Sequence, residues 1–161
     1  MNESTFNCDY VTQSSSLNPR HVHIINQLKV LHAATNDVSD SLLDIHGCGW
    51  FDGGCYTLAY AASQVIDEVE VYHASRSSDF RDHAVLKLKG VDLFFDADGL
   101  QTKEQLYNKM VNYEMARCDA IEPFSNFSCY VEDKVYLDIY NELLLVFNNA
   151  IRACNWERGV S

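Results

Sequence analysis

The chain has 161 residues, 47% of them hydrophobic, and a formal net charge of −11 from 23 acidic against 12 basic side chains. That length and apolar content suit one globular domain with its own core and exclude a disordered or fibrous chain. The acidic balance repels phosphate backbones and anionic lipid, which argues against nucleic acid and membrane as partners.

The opening stretch, MNESTFNCDYVTQSSS, lacks the basic–apolar–small order of a signal peptide. No run approaches the ~20 apolar residues of a membrane span. The six cysteines, Cys8, Cys48, Cys55, Cys118, Cys129 and Cys154, share no repeated spacing. Together these point to a cytoplasmic protein with free thiols.

Residues 1–17 are rich in Ser and Asn and read as a loose arm before a single domain that fills the rest of the chain. Asn18-Pro19 has the form of a helix start, with Asn as cap and Pro at the first helical position. Val22, Ile25, Leu28 and Ala33 carry that helix to about Ala34. A second short helix is expected near Ser39–Ile45, stopping at Gly47. HGCGWFDGG follows, and with four glycines in nine residues it reads as a loop. From Cys55 the apolar positions Leu58, Ala59, Ala62, Val65 and Ile66 trace one face of a helix.

EVEVYH alternates as a strand, and HAVLKLKGVDLFFDADG reads as a hairpin. Thr102–Gln105, TKEQ, is a capping box that opens a helix running to about Met115. A strand over Arg117–Glu122 and a final helix over Lys134–Cys154 complete an α+β domain.

The hairpin decides which side chains meet. If Lys89-Gly90 is a two-residue loop, His83 lies directly opposite Asp96, and Ala84, Leu86 and Leu88 form a wholly apolar face with their partners. Opposed residues share a face at a Cβ separation of ~5 Å, which suits an imidazole–carboxylate hydrogen bond. A slip of two, with Gly90-Val91 as the loop, pairs His83 with Asp98 and sets Lys87 against Phe94. That register ranks second, and Asp96 is the expected partner.

Cys55 thus follows two glycines at a helix start, where unpaired amides and the helix dipole favour an anion. The glycines give tight turning and leave backbone N–H groups, that of Cys55 first, as oxyanion donors. The chemistry expected is Cys55 as nucleophile, His83 as base and then acid, and Asp96 holding the imidazole tautomer. Trp50 Nε1 is a candidate second oxyanion donor, and Trp50 and Phe51 are candidate pocket walls.

The order of Cys at a helix start, His on a strand and Asp on the next strand resembles the papain-like cysteine hydrolase and transglutaminase-like superfamily. GGC with HAVLKLKGVDLFFDADG is closest to the arylamine N-acetyltransferase and NlpC-type patterns, over roughly Trp50 to Gly99. The resemblance implies a papain-like fold, a helical layer on a small antiparallel sheet with the site between them. It also implies attack on an amide bond of a protein or peptide-like substrate through a thioester, by a thiol protease, amidase, deamidase or acyl transferase. No cofactor and no metal are implied.

Rival readings belong beside this. A non-catalytic acidic protein that captures a host or defence protein would carry the same fold. His46, Cys48, Cys55 and His83 are zinc-compatible types, although His46-x-Cys48 is not a usual ligand spacing. Cys48, Cys118, Cys129 and Cys154 read as structural, and His21, His23 and His32 as surface or packing residues. Tyr130, Tyr136, Tyr140 and Phe147 read as core.

Overall fold

The computed structural model describes residues 17–46, 49–77, 80–114, 117–126 and 134–159. The expected arm up to residue 16, the stop at Gly47, and Cys8, Cys48, Cys129 and Tyr130 lie outside these, as does the side chain of His46.

The first helix, α1 (Pro19–His46), starts as expected: Asn18 Oδ1 accepts the His21 amide at 2.9 Å. It runs unbroken through the two helices expected from sequence. Thr35, Asn36, Asp37 and Val38 are weak helix formers, but propensity yields to packing here. Leu28, Leu31 and Val38 are fully buried along one stripe, and the Thr35 hydroxyl donates to Leu31 O at 2.8 Å.

The glycine-rich segment is not an irregular loop. Trp50–Gly54 forms one π-type turn, with Gly54 N–H bonded to Gly49 O at 3.3 Å. It leads directly into α2 (Cys55–Val65). Gly53 sits at φ +121, a conformation that side-chain-bearing residues rarely adopt. Seven of the eleven residues of α2 are buried, Cys55 through Ala59 and then Ala61 and Ala62, so it is an interior helix rather than an amphipathic one.

The strands are β1 (Val69–Ser77), β2 (Phe80–Leu88), β3 (Leu93–Asp96), β4 (Gly99–Thr102) and β5 (Ala120–Pro123). They form one antiparallel sheet in the order β4-β3-β2-β1-β5. β4 was not foreseen from sequence. It pairs with β3 across a tight turn ending at Gly99, which has φ +97 and lies against the His32 ring. Thr102 caps α3 (Lys103–Lys109) with both bonds of the expected box: its hydroxyl accepts Gln105 N–H, and its own amide donates to Gln105 Oε1. A second π-type turn, Met110–Glu114, continues α3. The last helix, α4 (Lys134–Gly159), buries Ile139, Leu143 and Phe147 at four-residue spacing.

The sheet is covered on both faces rather than by a single helical layer. One core joins α1, α2 and α4 to Val71, Ala84, Leu86, Leu88 and Phe95. The other places Leu106, Met110 and Cys118 on Ala74, Val85 and Phe94. The fold is α+β, with a five-stranded antiparallel sheet between helical layers. No helix among the described residues is long and apolar enough to cross a membrane.

Candidate active site

Four parts of the fold meet at the candidate site. Cys55 opens α2, His83 lies on β2, Asp96 ends β3, and Phe51 comes from the π turn before α2. His83 Nε2 bonds Asp96 Oδ2 at 2.8 Å. The Cys55 thiol lies close enough to the same imidazole to raise its pKa, and with Nε2 taken by Asp96 only Nδ1 is open to it. The structure therefore brings together the three side chains singled out from sequence.

It does so by a different register from the one preferred above, which is a correction. Leu86 pairs with Phe95 and Lys87 with Phe94, so β3 is slipped by two residues and His83 is not directly opposite Asp96. The connection is longer than two residues: Lys89–Asp92 separates the strands, Gly90 has φ +79, and Val91 N–H bonds Leu88 O. Setting Lys87 against Phe94 counted against this register. The lysine instead holds its ammonium over aromatic rings, with Nζ 5.4 Å from the Tyr72 centroid and 5.9 Å from that of Phe94. Its charge pairs with Asp92 at 3.0 Å. A slip of two leaves side-chain parity unchanged. His83 and Asp96 stay on one face as diagonal neighbours, ~7–8 Å apart at the backbone and within reach of each other's side chains.

Burial is close to complete: Cys55 is 4% exposed, His83 2% and Asp96 3%. Removal from water alone would push the imidazolium pKa down. The hydrogen bonds to Asp96 and Cys55, with their charges, outweigh that and raise it from 6.5 to about 9. Burial likewise works against the Asp96 carboxylate. The bond and charge of His83, and then the Lys109 ammonium, bring its pKa from 3.8 down to about 2. A protonated imidazole beside an ionised carboxylate is thus the state at neutral pH.

Two neighbours were not identified as parts of this cluster from sequence. Phe51, a candidate pocket wall, stacks on His83 with centroids 4.9 Å apart and planes at 24°. Lys109, at the end of α3, donates to Asp96 Oδ2. No spacing along the chain singles out Lys109, whose place depends on how α3 packs over the sheet through Leu106 and Met110. Trp50 is buried in the main core.

Other expectations resolve as follows. Cys55 and Cys118 are free thiols. Burial raises the Cys118 thiol pKa, and the group donates to Ala120 O at 3.6 Å. His21 and His32 are half-buried against the turns at Gly90 and Gly99, and His23 is exposed. Phe147 is core, while Tyr136 and Tyr140 are partly buried, Tyr140 stacking on Tyr60 at 5.2 Å. Among the described residues no three His, Cys, Asp or Glu side chains converge as a metal-ligand set.

Compared with known proteins, the chain matches no family model, no curated protein and no solved structure.

Proposed function

We propose that this protein is a cysteine-nucleophile enzyme of papain-like type that opens amide bonds through a thioester. The observation that carries the reading is His83, with one ring nitrogen for the Cys55 sulfur and the other bonded to Asp96 at 2.8 Å. The thiolate of Cys55 attacks the amide carbon, and the carbonyl electron pair moves to oxygen as a C–S bond forms. The His83 imidazolium gives its proton to the departing nitrogen as the C–N bond breaks, leaving an acyl-Cys55 thioester. Water or an amine then loses a proton to His83 and attacks the thioester, and the sulfur leaves as thiolate. Asp96 keeps the ring in one orientation throughout. The incoming nucleophile decides between peptidase, amidase, deamidase and transferase outcomes.

The test is alkylation of the full chain by iodoacetamide, read peptide by peptide across pH. Cys55 is expected to react at least tenfold faster than Cys118 at pH 6, and His83→Ala is expected to abolish that advantage. Equal rates at the two thiols overturn the reading. An activated acyl thioester should also leave a mass adduct on Cys55 that Cys55→Ser prevents.

The 4% exposure of Cys55 favours a second reading, an acidic interaction protein on the same scaffold. Cys55→Ala separates the two: biological activity that survives it belongs to a binder.

A further inference from the structure

We infer that Lys109 is a positioning residue of this site, a fourth member that holds Asp96 and balances the charge of the row in its reactive state; the inference rests on the function proposed above. Lysine is seldom sequestered, yet the Lys109 side chain is only 15% exposed. Its Nζ is 2.5 Å from Asp96 Oδ2 and 3.2 Å from Asp98 Oδ2. It also stands 5.0 Å from the centroid of Phe51, the ring stacked on His83.

Three donors converge on Asp96. Oδ2 accepts from His83 Nε2 and Lys109 Nζ, and Oδ1 accepts the Asp98 amide at 2.9 Å. The carboxylate cannot rotate without breaking a bond, so the imidazole it holds stays aimed at the sulfur.

Charge gives the second argument. Sulfur, imidazole, carboxylate and ammonium form a row that alternates in sign once the thiol proton is lost. With Lys109 that thiolate state is neutral in sum, whereas without it the same state carries one uncompensated negative charge among buried groups. Buried charge lacking a partner is strongly disfavoured, and the ammonium supplies the counter-charge that the reactive row needs. Among the described residues, the titratable groups in or facing this row are Cys55 from α2, His83 from β2, Asp96 from β3, Lys109 from α3 and Asp98 from the turn after β3. The Asp98 carboxylate is 59% exposed, so water screens its offsetting charge.

The experiment is the Cys55 alkylation rate from pH 4 to 9 in the full chain, for the unmodified protein, Lys109→Met, Lys109→Gln and Lys109→Arg, with Cys118 as internal control. Loss of an opposite charge at this distance should move the acid limb of the Met and Gln profiles up by about one pH unit. Their rates on that limb then fall about tenfold, with little change at pH 9. Lys109→Arg should keep the original limb. Gln retains a donor to Asp96 without the charge, so it gives the answer should the Met variant fail to fold. An unmoved limb in Gln, or a uniform loss at every pH that Arg shares, overturns the inference and leaves the enzyme reading intact. An unmodified Cys55 no faster than Cys118 at any pH overturns both.

Discussion

The His83 ring is divided between two partners: Nε2 bonds Asp96, and the Cys55 thiol stands close enough to act on the ring. This division makes Asp96→Asn an informative change. Three N–H donors point at the Asp96 carboxylate, and an amide offers them one oxygen and one further donor. One contact must become donor against donor, and the imidazolium loses its counter-charge. Asp96→Asn is expected to slow Cys55 alkylation at pH 6 by about 10²-fold or more, in line with what general acid–base groups contribute. A rate within twofold of the original would show that the carboxylate is dispensable.

Among the elements, the π turn and the capped α3 place the site. Gly53→Ala forces a side chain into φ +121, and its Cβ would also stand 3.5 Å from the Tyr136 hydroxyl. A cost of at least about 1 kcal/mol is expected, lowering the melting temperature by about 2–4 °C in a chain of this size. Thr102→Ala removes the hydroxyl that accepts the Gln105 amide at the start of α3 and should cost about 1 kcal/mol. Because α3 carries Lys109, that variant should also raise the acid limb of Cys55 reactivity. Calorimetry and the alkylation profile check the two effects separately.

The same elements mark what the sequence could disclose. The capping box, the Asn18-Pro19 start and the strand alternation rest on local chemistry and were readable to within a few residues. The break expected after Ala34 did not occur, because burial of Val38 against the rest of the fold outweighs the weak propensity around it. The hairpin register was misjudged for a similar reason: a lysine opposite a phenylalanine is poor by residue type, yet it is accommodated by the neighbouring Tyr72 ring and Asp92. A two-residue slip preserves parity, so both registers carry His83 and Asp96 to the same face of the sheet. Lys109 depends on how α3 folds back over the sheet, which no spacing along the chain encodes.

For the whole molecule, the two shifted groups set a pH window. His83 has its pKa raised, so its contribution to stability is complete below about 6.5 and is lost as pH climbs towards about 9. Asp96 has its pKa lowered, so its contribution is complete above about 4 and is lost as pH falls towards about 2. Both operate fully between roughly pH 4 and 6.5, where thermal stability from this pair should plateau. His83→Ala should flatten the alkaline decline between about pH 6.5 and 9. An unchanged alkaline slope in that variant would mean that other groups govern it.

The interior helix has one more consequence. Ala59, Ala61 and Ala62, none more than 4% exposed, are what allow sheet and helices to close around α2. Cys55 is thus seated from behind, by the smallness of the side chains packed around its helix. Widening one of them, as in Ala62→Leu, wedges the helix away from its surroundings at a cost of about 1–3 kcal/mol. A displacement of a fraction of an ångström at that wedge separates sulfur from imidazole long before the domain unfolds. Silencing such a protein would require no change to its chemical groups, only a misfit in the wall that holds them.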